Sequence, residues 1–198
     1  MLIGSPMSTP AKRVPSPIAR HAQFVRLGLD DLADARYVHA SSFRTITGCG
    51  LADEEVQAFL ALVHSADYLD GLAELVAERR LLGLKVDAQL VATAGWSPAA
   101  SGGHSARIEH VFVLALFGRL GLGSRLVLEV ERAALFAGFN RFMARTLPDQ
   151  SPFFARLGYV LASKGSLALP GEHAIPVAHM RKVAAHAARA ARGAARHH

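Results

Sequence analysis

The chain has 198 residues, 51% of them hydrophobic and 19% charged, with a formal net charge of +6. That length supports one domain with a sizeable core, and that apolar share excludes wholesale disorder. Mean hydropathy is +0.23, yet the longest apolar stretch, residues 111–116, ends just before Gly118 and Arg119, far short of the roughly 20 residues a membrane span needs.

The basic residues sit in particular places. Residues 1–20 carry Lys12, Arg13 and Arg20, residues 181–198 carry Arg181, Lys182, Arg189, Arg192 and Arg196, and neither segment holds an acid. The ends therefore contribute +8 and the stretch between them −2. Charge distributed in this way reads as solubilising ends rather than a folded basic face, so no specific nucleic-acid partner is expected. The lone Cys49 excludes an internal disulfide and a cysteine-based metal site, which fits a cytoplasmic location. The histidines are scattered without metal-ligand spacing, so no metal is expected.

Residues 1–20, with Pro10, Pro15 and Pro17, show no hydrophobic period and no secretory signal, and read as a disordered leader. A domain is expected over residues 21–183, and residues 184–198 form a basic Ala/Arg tail. Within the domain, Phe24-Val25-Arg26-Leu27 reads as a strand. Asp30 or Asp31 caps a helix running to about Phe43, with Leu32, Ala35 and Val38 or His39 on one face. Asp53, Glu54 and Glu55 open a second helix, and residues 67–80 a third that aligns Tyr68, Leu72, Leu75 and Val76.

The period then shortens to that of strands. Residues 81–86 and 89–96 flank a turn at Asp87-Ala88 and predict a β-hairpin. Residues 107–114 form the strongest strand, and residues 123–137 a helix stopped by Gly138. Residues 141–146 predict a strand, 152–157 a short helix, and 159–162 and 175–182 the last strands, with a loop over 165–174.

The informative segment is a buried strand that enters a turn holding Gly118, Gly121 and Gly123 and opening a helix at Ser124. Glycine lets backbone approach a ligand with no Cβ in the way. A helix start offers unpaired N–H groups to an anion, and Arg119 and Arg125 lie nearby. Two nucleotide motifs fail here. No acid follows about 20 residues on, as a dinucleotide fingerprint requires, and no lysine precedes Ser124, as a P-loop requires.

The segment resembles motif A of the GNAT superfamily of acetyl-CoA-dependent N-acetyltransferases, with Val113-Leu114-Ala115 followed by Gly118-x-x-Gly121-x-Gly123. Phe153-Phe154-Ala155-Arg156-Leu157-Gly158-Tyr159 resembles that family's Phe-Tyr-x-x-Leu-Gly-Phe/Tyr segment, and further likenesses extend over residues 24–182. The resemblance implies an α/β fold: a mixed, mostly antiparallel sheet flanked by helices on both faces, in which the motif A strand and the strand at 141–146 run parallel and splay apart. It implies acetyl-CoA as cosubstrate. Val111, Phe112 and Val113 would pair with the pantetheine arm, and the amides of Gly118, Arg119, Leu120, Gly121, Leu122, Gly123 and Ser124 would hold the pyrophosphate. Phe154 would also lie at the cofactor site.

Catalysis requires that the acceptor amine lose a proton, and the departing thiolate benefits from one. Glu109 is the candidate for the first role. By strand alternation it shares a face with Val111 and Val113, leaving His110 on the other face. For the second role many members of the family use a tyrosine where this chain has Phe154; Ser151 and Tyr159 are the substitutes at hand. The activity implied is transfer of acetyl to a primary amine of a small molecule, with acceptor choice set by residues 36–53, the loop after Trp96 and residues 165–174. The alternatives are a protein lysine or N-terminal acetyltransferase and a catalytically silent acyl-CoA-binding protein. The resemblance allows a homodimer, but no interface is legible.

Overall fold

The structure, a computed structural model, describes residues 21–45, 50–100 and 103–184. The expected leader, Cys49 and the end of the chain from residue 185 lie outside the described residues.

The elements in chain order are β1 (Gln23–Arg26), α1 (Leu32–Thr45), α2 (Asp53–Val63), α3 (Ala66–Ala77), β2 (Leu81–Val86), β3 (Gln89–Pro98), β4 (Ser105–Val113), α4 (Leu122–Phe136), β5 (Arg141–Thr146), α5 (Ser151–Arg156), β6 (Val160–Ala168) and β7 (Ala174–Val183). They build one seven-stranded sheet in the order β1-β2-β3-β4-β5-β7-β6. β4 and β5 are parallel and every other neighbouring pair is antiparallel.

Local chemistry accounts for the elements. Asp31 accepts from the Gly28 amide at 2.8 Å and holds Lys85 of β2 at 2.8 Å, so the entry to α1 is tied to the sheet. Glu55 accepts from the Ala52 amide at 2.7 Å at the start of α2. Ser65 caps α3 through the Tyr68 amide at 3.2 Å. Asp87 (φ 48°) and Ala88 (φ 67°) both take the left-handed conformation that a tight two-residue hairpin turn demands.

In β3 every residue from Leu90 to Trp96 is buried. A strand buried without alternation has both its faces covered. α1 contributes Ala35 and Val38, α3 contributes Leu72 and Leu75, and α4 contributes Leu126, Val127 and Val130 to the core around it. Trp96 packs on Phe139, with Arg80 above its ring, and is a core residue.

A second apolar cluster joins α1 and α2 (Phe43, Val56, Phe59 and Val63) to Leu147 after β5 and to Leu169 and Ile175 at the β6–β7 hairpin. This hairpin is longer than expected. Residues 165–168 continue β6, so the loop expected over 165–174 shrinks to residues 169–173.

Arg181 and Lys182 belong to β7 and not to a solvated tail. The Lys182 ammonium donates to Glu131 of α4 at 2.6 Å, with the carboxylate side chain only 6% exposed. This pair pins α4 to the sheet, and Tyr159 lies under the same ammonium. Burial and the neighbouring Glu131 charge push the Tyr159 hydroxyl up, which makes it a poor acid. Breaking one side of a buried pair leaves an uncompensated charge. Glu131→Ala is therefore expected to lose roughly 3–5 kcal/mol of stability in chemical denaturation, whereas Glu131→Leu combined with Lys182→Met, which removes both charges, loses far less.

Candidate active site

β4 and β5 pair only from Ser105–Arg141 to Ile108–Ala144. Beyond that point β4 keeps its pairing with β3 as far as Val113, and β5 keeps its pairing with β7 as far as Thr146. The two parallel strands thus part, as expected, and the β5-facing edge of residues 109–113 has no strand beside it.

The parting coincides with a β-bulge. Thr93 lies opposite Phe112 and Gly95 opposite Glu109, so β4 carries one more residue than β3 across this interval. His110 absorbs the extra residue at φ 53°, a conformation that histidine enters more readily than most side chains. A bulge bends its strand and interrupts alternation. Glu109 and His110, expected on opposite faces, both line one cavity at this open edge, where the His110 ring stacks on His39 of α1.

That cavity has a volume of about 300 Å³. β4 supplies residues 108–113, β5 and the turn after it supply Arg145, Thr146, Leu147 and Gln150, and α5 supplies Phe153 and Phe154. Ser42, Phe43 and Phe59 enter from α1 and α2, and Leu167, Ile175 and Val177 from the β6–β7 hairpin. The described residues of the loop after Trp96, expected to shape this site, are not among those that line it. Ser42 is buried and its hydroxyl has no partner among the described residues. Ser151, one of the two candidate acids, donates to the Pro148 carbonyl at 2.6 Å, and neither it nor Tyr159 lines the cavity.

The glycine turn adjoins β4. Gly121 sits at φ 79° and caps α4, a conformation that suits a residue without a Cβ. A Cβ on Gly123 would lie 3.2 Å from the Val113 side chain, so the start of α4 lies tight against the end of β4. Leu122 is buried, while Arg119, Gly121 and Arg125 are exposed. The amides of residues 119–124 have no acceptor among the described residues. Unpaired N–H groups gathered at a helix start suit a phosphate.

Behind the cavity lies a polar network that sequence reasoning missed. His39 of α1 is fully buried, with Nε2 2.8 Å from Thr93 Oγ1 and Nδ1 2.9 Å from the Tyr68 hydroxyl. Tyr68 Oη is also 3.3 Å from His110 Nδ1, and the Thr93 hydroxyl donates to the His110 carbonyl at 2.8 Å. The His39 and His110 rings stack at 5.4 Å, and Phe112 packs on His39 at 4.4 Å. Burial holds the His39 imidazole well below its ordinary value, and the nearby His110 adds to this. Burial also lowers His110, opposed by the Glu109 carboxylate and reinforced by Arg145. The Tyr68 hydroxyl is pushed up by burial and by Glu109. The one sequence signal for this network was the place of His39 on the inward stripe of α1.

Residues 50–159 match the acetyltransferase (GNAT) family, and no curated protein matches the chain. Among solved structures, a GCN5-related N-acetyltransferase from Rhodopseudomonas palustris is similar at 18% identity and TM-score 0.73, over 87% of this chain and 99% of that one. The PaiA N-acetyltransferase from Thermoplasma acidophilum, solved in complex with coenzyme A, is similar at 14% identity and TM-score 0.65, over 82% and 98%. A ribosomal-protein-alanine N-acetyltransferase from Brucella melitensis is similar at 16% identity and TM-score 0.60, over 81% and 99%.

Buried His39 and half-buried His110, both held below the ordinary imidazole value, make stability depend on pH. The unfolded chain takes up protons below about pH 6.5 that folded His39 and His110 refuse. Their contribution is therefore complete above that pH and is lost as pH falls below it, by up to about 1.4 kcal/mol per pH unit for each group. Urea unfolding at pH 7 and pH 5 is expected to show this loss, and His39→Gln is expected to remove its own share of the slope.

Proposed function

Since the chain belongs to the acetyltransferase (GNAT) family, we propose that it transfers acetyl from acetyl-CoA to a primary amine of a small molecule, by direct attack within a ternary complex. The observation that carries this reading is the parting of β4 from β5, which joins an open strand edge to the amide cluster of residues 119–124 on one side and to the cavity holding Glu109 on the other. An extended pantetheine arm fits the free edge at Val111, Phe112 and Val113, as an added strand would. The amides at Arg119, Leu120, Gly121, Leu122, Gly123 and Ser124 fit the pyrophosphate; that of Gly118, expected among them, is already donated to the Ala115 carbonyl at 3.0 Å.

The acceptor shares the cavity. The apolar side chains of Phe43, Phe59, Leu147, Leu167 and Ile175 around a cavity of about 300 Å³ suit a compact amine with an apolar body. Glu109 gives the cavity a carboxylate beside which an ammonium can settle, and the unpartnered Ser42 hydroxyl offers the acceptor a hydrogen bond. Phe154 has no proton to give. The sulfur then leaves as thiolate, a tolerable leaving group for a thiol of ordinary acidity near 8.5.

Calorimetric titration tests the cofactor site. Acetyl-CoA and CoA are expected to bind with micromolar Kd and ATP far more weakly. Ser124→Glu separates anion binding from folding, because an acid in the first turn of α4 suits the helix dipole yet repels a pyrophosphate. It is expected to leave the melting temperature unchanged or raised and to weaken CoA binding at least about tenfold, a loss near 1.4 kcal/mol. Unchanged affinity would remove the amides from the site.

Glu109→Gln keeps the shape and removes the charge. Turnover with a small aliphatic or aromatic amine is expected to fall about tenfold or more, with acetyl-CoA binding retained. Preference for peptide amines over small amines in the same assay would overturn the acceptor class.

A further inference from the structure

We propose that His110 is the catalytic base that takes the proton from the acceptor amine, and that Tyr68, His39 and Thr93 are positioning residues that keep its Nε2 free of hydrogen. The chemical role rests on the acetyltransferase reading above, whereas the placement of the protons follows from the hydrogen bonds alone.

A carbonyl oxygen can only accept a hydrogen bond. The His110 carbonyl oxygen lies 2.8 Å from Thr93 Oγ1, so the single hydroxyl proton of Thr93 is committed there. The contact of 2.8 Å between Thr93 Oγ1 and His39 Nε2 then requires an N–H on His39 Nε2. Burial keeps His39 neutral, and a neutral imidazole carries one ring proton, so its Nδ1 is bare. Nδ1 accordingly accepts the Tyr68 hydroxyl proton at 2.9 Å. Tyr68 has no second proton, so its 3.3 Å contact with His110 Nδ1 is donated by His110. His110 in its neutral form thus carries its proton on Nδ1 and a lone pair on Nε2. The circuit leaves the His110 ring and closes on the His110 carbonyl, through residues of α1, α3 and β3.

Nε2 has no hydrogen-bond partner among the described residues, and His110 forms part of the cavity wall beside Glu109. The charged and titratable groups around the imidazole are Glu109 on its own strand, Arg145 of β5, His39 of α1 and Tyr68 of α3. Glu109 favours the imidazolium that proton transfer creates, and Arg145 opposes it. Accepting a proton at Nε2 leaves the Nδ1–H bond to Tyr68 in place, so no member of the circuit has to turn during the reaction.

The acceptor ammonium gives one proton to Nε2, which frees the nitrogen lone pair. That pair forms the N–C bond at the thioester carbonyl while the C=O π pair moves to oxygen. The oxygen pair then returns, the C–S bond breaks, and sulfur keeps its electrons. The surplus proton on the new amide nitrogen passes to the thiolate, and the imidazolium releases its proton to solvent. The products are the acetamide, CoA thiol and one proton.

The first test needs no substrate. Long-range ¹H–¹⁵N NMR of the full chain labelled at histidine is expected to show His110 bare at Nε2 and His39 bare at Nδ1, with resonances assigned through His110→Asn and His39→Gln. Tyr68→Phe removes the hydroxyl that holds the tautomer, and His110 is then expected to show an N–H at Nε2. An Nε2–H on His110 in the unaltered protein overturns the proposal. The second test is kinetic. Asparagine tolerates the left-handed backbone at this position and can still donate to Tyr68, but it has no Nε2. His110→Asn is expected to lower kcat/KM by about 10²- to 10⁴-fold, to keep acetyl-CoA affinity, and to abolish the acid limb of kcat/KM, which protonation of His110 imposes at a pH below the ordinary imidazole range. Undiminished turnover with that acid limb intact overturns the role of His110 and leaves the transferase reading standing. Absence of acetyl-CoA binding in the unaltered protein overturns both.

Discussion

The active site exists because β4 stops pairing with β5 after Ile108. A parallel pair inside a sheet ordinarily continues its ladder, since unpaired backbone groups in the interior are costly. Here the bulge at His110 turns β4 away, and the free edge that results is tolerable only if something occupies or solvates it. The rest of the molecule is arranged around that gap. α4 starts where β4 ends, α5 and the turn after β5 line the gap on the β5 side, and the cluster of Phe43, Phe59, Leu147 and Ile175 closes it with apolar side chains.

The same open edge sets the chemistry. Glu109 and His110 both line one cavity there, and the His110 carbonyl accepts from Thr93. Burial of His39 then does what no surface histidine could: by remaining neutral it allows one arrangement of protons in the circuit. A charged His39 would donate from both ring nitrogens, Tyr68 would be free to donate to His110 Nδ1, and the opposite tautomer of His110 would result. The low dielectric that costs this protein stability in acid is therefore also what orients its base.

The elements that the sequence made legible are those with strong local causes. The 81–96 hairpin, the strand at 141–146 and the helix after the glycine turn appear as expected, because turn chemistry and apolar period determine them locally. The parting of β4 and β5 was implied only by resemblance, since strand pairing is a tertiary property. What could not be read was the bulge, because it arises from a mismatch between two strands and neither strand alone records it. The strand character of residues 165–168 was hidden for a similar reason. Gly165 and Ser166 have weak β propensity, and they are held by pairing with Val177 and Pro176 of β7. The role of Thr93 and Tyr68 was invisible because each looked like an ordinary member of its element.

The departure at Phe154 bears on how the labour of catalysis is divided. Two proton transfers accompany acetylation of an ammonium, but they are not equally demanding. An alkylammonium resembles a lysine side chain, with a pKa near 10.4, and at neutral pH only about one part in a thousand is deprotonated. A thiol near 8.5 gives a thiolate that departs without help at a modest cost. A site that must economise should therefore keep its base and can forgo its acid. This chain does so: Phe154 is buried against Phe153 and Tyr159, filling space with a ring that excludes water, while the buried polar groups of the site are gathered behind His110. Water excluded at Phe154 strengthens the attraction between Glu109 and an incoming ammonium, so the apolar substitution on one wall of the cavity supports the proton transfer on the other.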